Sequence, residues 1–388
     1  MDITRRRFSV GIAAASAAAA LAGAPSTARA GELGATVDAI RLRRGLPALA
    51  VLAGRHGALL QQAATGVRAR GNDVAVSTQD RWHIGSCAKS MTATLIARYV
   101  ERGALAWDAP LTDLLPERAA GMHAIAGRIT LYQLLTMTSG LPENPTLGGR
   151  SGDLVARLRA IESLAGDDQA RRRLVAEHTL ATAPPGAPGA RFGYSNTNYI
   201  ILGAIAERVG EASFERLIAR EVFQPLQMQN VGFGAPGSDA ALDQPRGHEA
   251  RRNGSPIAPQ SPLADLPSYM RPAGGIHLSL NDWARFVFDH VGGENGQGVL
   301  LKRETYERLH TPAPGSDQPY ACGWGAPTRA GRKVLTHVGN NTLWTAGVHA
   351  YPASGYIFLY AANDGRESSA TAAFKNVEED LAAQYRDI

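Results

Sequence analysis

Lysine is nearly absent from this 388-residue chain: of 40 basic residues only Lys89, Lys302, Lys333 and Lys375 are lysines. Arginine stays protonated in proteins, whereas a partly buried lysine can shift its pKa and serve as a base. A serine three residues ahead is found for Lys89 alone; the others follow Val299, Ala330 and Ala372 at that spacing. Cysteine is scarcer still. Cys87 and Cys322 make no disulfide framework and no cysteine cluster for a metal, and Cys87 reads as a small buried helix residue. No G-x-S-x-G elbow occurs, which argues against the α/β-hydrolase route. His248-Glu249 runs on into Ala250-Arg251-Arg252, so there is no H-E-x-x-H zinc helix, and no phosphate loop is present. No metal and no cofactor is expected. The clusters Arg41-Leu42-Arg43-Arg44 and Arg171-Arg172-Arg173 lack interleaved aromatics, so they read as solvated helix faces and not as nucleic-acid contacts.

Long apolar runs are also missing. The only candidate, Val10 to Leu21, is too short and too rich in alanine to span a bilayer. It follows Thr4-Arg5-Arg6-Arg7-Phe8 and precedes Ala28-Arg29-Ala30, the order of a basic region, an apolar core and a small-residue cleavage site. Residues 1–30 are therefore expected to be a signal peptide of the twin-arginine type, cleaved after Ala30. Export to the periplasm or medium follows, with no stable membrane insertion after cleavage. The leader carries a net charge of +3, so the mature chain is left near +2.

The mature chain, residues 31–388, is long enough for a large core and two lobes. Apolar runs over 46–53 and 59–64 predict a β-hairpin. A helix is expected to start at Ser86. Thr130 and Gln133 form a capping box for a helix ending near Ser139-Gly140. Residues 154–180 read as helical, and helices are expected over 199–209 and 214–223. The Pro- and Gly-rich stretch from Gly234 to Gly275 is expected to border the site, with no residue in it assigned a role. Ser279 caps a further helix, strands are expected over 334–338, 346–350 and 356–360, and a helix closes the chain. Strands at both ends with helices between them predict an α/β fold with a sheet lobe (about 31–85 and 276–388) and a helical lobe (about 86–275). A cleft between lobes is a usual place for a site.

Ser86-x-x-Lys89 puts an amine and a hydroxyl on one helix face, Cβ atoms roughly 5–6 Å apart, at a helix start that favours negative charge. An N-cap serine beside a solvated lysine fits the pair equally well. Two later constellations change the balance. Ser86-x-x-Lys89, Tyr194-Ser195-Asn196 and His337-Val338-Gly339, in that order, resemble the three motifs of the serine β-lactamase-like hydrolases, a family that includes class C β-lactamases, D-alanyl-D-alanine carboxypeptidases, D-aminopeptidases and carboxylesterases. Trp82-His83-Ile84-Gly85, the run Ile129 to Pro142, Pro185-Gly186, Pro225-Leu226-x-Met228 and Pro272-Ala273-Gly274-Gly275 extend the resemblance over nearly the whole mature chain.

The resemblance implies the penicillin-recognising serine hydrolase fold, an antiparallel sheet flanked by helices with an inserted, mostly helical lobe. It implies that Ser86 forms an acyl-enzyme and that Lys89 and Tyr194 share the proton work, either as a base. Asn196, His337, Gly339 and Asn340 would bind substrate, with the N–H groups of Ser86 and Asn340 as oxyanion donors. The third motif departs from the Lys-Thr-Gly of β-lactamases. Val338 offers no hydroxyl to a substrate carboxylate, and a histidine at 337 is cationic only part of the time near neutrality. The expected activity is therefore hydrolysis of a small carboxylic ester. A D-alanyl-D-alanine carboxypeptidase or D-aminopeptidase and a β-lactamase are the alternatives, with a noncatalytic cell-wall-peptide binder or scaffold as the rival of another class. The expected partner is a small ester, amide or peptide.

Overall fold

The computed structural model describes residues 27–147, 149 and 153–385. Of the leader expected over 1–30, only the backbone of 27–30 is among them, as the first turn of a helix. That helix, α1 (Thr27–Arg44), precedes the hairpin β1 (Ala48–Arg55) and β2 (Ala58–Gly66), and β3 (Arg81–His83) leads into α2 (Ala88–Glu101). Helices fill the middle of the chain: α3 (Leu111–Leu114), α4 (Ala124–Gly127), α5 (Leu131–Leu135), α6 (Leu154–Glu162), α7 (Asp168–Leu180), α8 (Asn196–Gly210) and α9 (Phe214–Ile218). Then come β4 (Val231–Phe233), α10 (Arg271–Gly274), β5 (Ile276–Ser279), α11 (Leu280–Gly293) and α12 (Arg303–Leu309). The chain finishes with β6 (Thr328–Arg329), β7 (Arg332–Lys333), β8 (Leu335–Asn340), β9 (Thr345–Tyr351), β10 (Tyr356–Ala362) and α13 (Glu367–Gln384).

Among the described residues, the main sheet has five strands in the order β2-β1-β10-β9-β8, every pair antiparallel. The N-terminal hairpin thus pairs with the last strand, Leu52 opposite Leu359, and the two ends of the chain close one sheet. Strand residues alternate between faces, and here both faces are covered. Leu49, Val51, Phe358 and Tyr360 join Val37, Ile40, Phe374 and Val377 of α1 and α13 in one apolar layer. Ala50, Leu52, Ile357 and Leu359 join α2 and α11 in the other. That double burial is why β1 and β10 read as continuous apolar runs without polar alternation. A shorter sheet, β3-β5-β4, sits beside the helix start. The architecture is the α/β one expected, antiparallel sheet flanked by helices.

Several helix boundaries differ from the expected ones; the helix expected over 214–223, for one, is α-helical only over Phe214–Ile218 and widens into a π-turn over Ala219–Phe223. α5 keeps its capping box, Thr130 with Gln133, but stops at Leu135, because Met137 takes a left-handed φ of 59° and turns the chain. The region 154–180 is two helices, split at Gly166 (φ 99°) and restarted by Asp167, whose carboxylate accepts the Ala170 N–H. α8 begins at Asn196, three residues earlier than expected, because Ser195 caps it by accepting the Asn198 N–H.

α2 is buried nearly all round, Lys89, Ser90, Thr92 and Thr94 included. Its hydroxyls are satisfied by nearby acceptors, Ser90 by the Cys87 carbonyl (2.8 Å) and Thr92 by the Pro272 carbonyl (2.8 Å). α8 packs close to α10; a Cβ on Gly203 would stand 2.4 Å from Pro272 Cγ. The same helix is tied to α7 by Arg172, whose fully buried guanidinium donates to Glu207 at 2.6 and 3.1 Å and to the Tyr269 carbonyl at 3.3 Å. Removing one member of a buried pair leaves the other charge uncompensated, at a cost of about 3–5 kcal/mol. Arg172→Leu is expected to lower the unfolding free energy by roughly that amount in urea titrations; a loss below about 1 kcal/mol would contradict the assignment.

Candidate active site

β3 delivers the chain to the site. Ile84 N–H bonds to the Ile276 carbonyl (3.0 Å), Gly85 takes a φ of 49°, and a single tight turn, Gly85–Cys87, runs directly into α2. Ser86 lies in that turn, half-exposed. β8 lies against it at a distance only glycine permits. A Cβ on Gly339 would stand 2.0 Å from the Ile84 oxygen and 2.8 Å from the Ser86 nitrogen, and one on Gly85 would stand 2.6 Å from the Asn340 nitrogen. The Ser86 nitrogen thus lies against Gly339 and the Asn340 nitrogen against Gly85, while the Asn340 side chain is engaged elsewhere, on Thr345 Oγ1 (3.0 Å) and the Gly365 carbonyl (3.1 Å).

Lys89 is fully buried, and its Nζ meets three acceptors: Ser86 Oγ at 3.0 Å, Asn196 Oδ1 at 2.8 Å and the Ala273 carbonyl at 2.6 Å. An ammonium can donate to all three. A neutral amine keeps two N–H groups, for Asn196 and Ala273, and offers its lone pair to Ser86, whose hydroxyl then donates. The geometry serves both protonation states and only the Ser86 bond reverses. Burial, opposed only weakly by the Cys87 sulfur, brings the amine down from 10.5 to about 7.

Tyr194 sits with its ring 4.9 Å from Lys89 Nζ, and the Ser86 side chain is close enough to bear on the ionisation of its phenol. Burial pushes this phenol up, against the Ser86 contact, which lowers it. Lys89 does not pull it into the phenolate form, so of the two candidate bases burial favours the amine and leaves Tyr194 protonated. Asn196 opens α8. Its Nδ2 donates to Asn144 Oδ1 (2.9 Å) and its N–H to the Glu143 carbonyl (2.7 Å), which aims Oδ1 at Lys89. The segment Met137–Asn144 clamps this motif from below: Gly193 N–H bonds to the Met137 carbonyl (2.8 Å) and Ser195 Oγ to the Pro142 carbonyl (2.8 Å).

His337 differs from the part-time cation expected. Its ring is buried, edge-on to Tyr320 at 6.1 Å, with Nδ1 2.7 Å from the Val338 carbonyl and Nε2 without a partner among the described residues. Burial first, then Lys89, lowers it to about 4, so the imidazole is neutral at pH 7. Val338 points outward and is 39% exposed. Cys87 is buried, and its thiol is pushed well up by that burial, which keeps it out of the chemistry. Ala273 is the contributor that sequence reasoning missed. It acts through a backbone carbonyl, which no residue type announces; Pro272-Ala273-Gly274-Gly275 marked the place but not the role. Among the described residues no group of three or more His, Cys, Asp or Glu is placed to hold a metal ion, and no helix is long and apolar enough to cross a membrane.

Comparison with known proteins bears on the family and the fold. The family profile described as Beta-lactamase matches residues 28–382. Penicillin-binding protein 4 of Amycolatopsis lactamdurans is 29% identical over 256 residues, which are 66% of this chain and 62% of that protein. Esterase EstB of Burkholderia gladioli is 33% identical over 203 residues, 50% of this chain and 49% of the esterase. The chain thus spans less than two thirds of the curated relatives it matches. Among solved structures, that of SurE superposes with a TM-score of 0.73 at 21% identity, covering 92% of this chain and 76% of that one.

The amine sets a pH dependence. A base lowered to about 7 is protonated below that pH and free above it, so the reactivity of Ser86 rises with pH through about 7 and then levels. Labelling of Ser86 by a fluorophosphonate, followed by mass spectrometry from pH 5 to 10, should show this single rising limb. A limb that begins only above about pH 9 would contradict a base lowered to about 7.

Proposed function

The chain belongs to the Beta-lactamase family, and from that premise we propose that it is a serine hydrolase acting on small carboxylic esters through an acyl-Ser86 intermediate. The observation that carries the reading is the contact between the buried Lys89 amine and Ser86 Oγ, 3.0 Å. Neutral Lys89 takes the Ser86 proton as Oγ attacks the ester carbonyl. The N–H groups of Ser86 and Asn340 receive the charge that develops on the carbonyl oxygen, donors of a kind worth roughly 2.7–4 kcal/mol each. The proton then passes from Lys89, with Tyr194 as the hydroxyl donor, to the departing alkoxide, and an alcohol leaves. Water attacks the acyl-Ser86 ester with the same groups acting in reverse, releasing the carboxylic acid and restoring Ser86.

The ester preference rests on what faces the substrate at the third motif. β-Lactams and D-Ala-D-Ala peptides carry a carboxylate that needs a cation or hydroxyl donors. Val338 supplies neither, His337 is neutral and buried, and the side chains of Asn340 and Asn341 are held by Thr345, Gly365 and Asp265. Relatives named as an esterase and as a penicillin-binding protein keep both chemistries within the family. Export on the Thr4-Arg5-Arg6-Arg7-Phe8 leader remains part of the proposal.

Purified protein should hydrolyse p-nitrophenyl acetate or butyrate with kcat/KM at least about 10-fold above that for a chromogenic cephalosporin or a D-Ala-D-Ala peptide, and Ser86→Ala should abolish it. Faster turnover of the cephalosporin or the peptide would reject the ester preference.

A further inference from the structure

The loop between β4 and α10 contributes a second group, on the far side of the turn that carries Ser86. His83, the last residue of β3, has a fully buried ring. Its Nδ1 lies 3.1 Å from the Gly85 nitrogen and accepts that N–H, so the ring proton is on Nε2, which donates to Asp265 Oδ2 at 3.1 Å. Asp265 Oδ1 accepts from Asn341 Nδ2 at 3.0 Å and from the Leu266 N–H at 2.7 Å. Asn341 Oδ1 in turn accepts the N–H groups of Leu343 (3.3 Å) and Trp344 (3.1 Å), which shapes the turn between β8 and β9. Trp344 closes the circuit by packing edge-on against Trp82, the neighbour of His83, with ring centroids 6.2 Å apart. Burial raises the Asp265 carboxyl, but His83, Asn341 and the Leu266 N–H outweigh it, so it stays ionised. The Asp265 carbonyl is anchored as well, by Arg159 at 2.6 Å.

One carboxylate therefore holds both the turn that carries the Ser86 nitrogen and the strand end that carries the Asn340 nitrogen. Through His83 it fixes Gly85, whose left-handed conformation sets the direction of the Ser86 N–H. Through Asn341 it fixes the end of β8, one residue after Asn340. We propose that Asp265, His83 and Asn341 are positioning residues that preorganise the two backbone donors for the oxyanion. Donors held in place before the reaction pay no reorganisation during it, and a misplacement near 1 Å can cost about 100-fold in rate. The inference rests on the serine hydrolase reading above and adds to it residues that never touch the substrate.

The test uses the full chain with an activated ester, with rates normalised to the folded fraction measured by circular dichroism so that unfolded material does not count. Asp265→Asn and His83→Phe should lower kcat by about 30-fold or more while KM stays within about 3-fold, since transition-state and not ground-state contacts are lost. His83→Asn keeps an acceptor for the Gly85 N–H and should recover at least about 10-fold of the loss seen in His83→Phe, a rescue that a purely structural role would not produce. Normalised kcat within about 3-fold of the parent in both Asp265→Asn and His83→Phe, or His83→Asn as slow as His83→Phe, would overturn the inference alone. A parent protein that never acylates Ser86 would overturn the hydrolase reading, and this inference with it.

Discussion

A single amine, sealed from water at the start of α2, is the constraint that the rest of the structure serves. Lys89 has no exposed surface and three acceptors within hydrogen-bond reach, one of them the Ser86 hydroxyl. Burying a charge is costly unless the charge is met by hydrogen bonds or given up. Here both routes are open, and the balance between them brings the amine to about 7. Burial does this because the neighbours are dipoles and not carboxylates: an amide oxygen and a backbone carbonyl steady the ammonium without pinning it. A carboxylate in place of Asn196 would restore an ordinary lysine and remove the base.

The acceptors come from distant parts of the chain, and the fold is what assembles them. Asn196 is 107 residues from Lys89, Ala273 is 184 residues away, and the His337 carbonyl that faces Cys87 is 250 residues from it. α8 is fixed by the Ser195 cap and by the buried Arg172–Glu207 pair, and α10 by its close approach to Gly203. β8 reaches the serine because the hairpin, β10 and β9 form one antiparallel sheet that ends there. Gly85 and Gly339 then let two backbones touch. Rigid elements on both sides leave the reactive hydroxyl in a turn too short to wander.

Much of this was legible before any coordinates. Ser86 and Lys89 stood out because lysine is rare here and because their spacing fits one helix face; the hairpin and the capping box at Thr130 carried their own local chemistry. Other features had no local signal. Burial is a property of the folded whole, so the neutral state of His337 and the raised phenol of Tyr194 could not be read from residue type. Ala273 works through its carbonyl, and Asp265 sits in a stretch whose Pro, Gly and Ser content signals turns and nothing about partners. The helix boundaries missed at Met137 and Gly166 depend on left-handed residues, one of which is not even glycine.

The scarcity of lysine also makes the central claim directly measurable. With only four lysines in the chain, [ε-13C]lysine labelling yields four resonances that can be followed by NMR from pH 5 to 11. One resonance, the one lost in Lys89→Met, should titrate near 7. If that Lys89 resonance titrates instead near the ordinary lysine value of about 10.4, the amine beside Ser86 is an ordinary ammonium, and the account of Ser86 as a lysine-activated nucleophile falls.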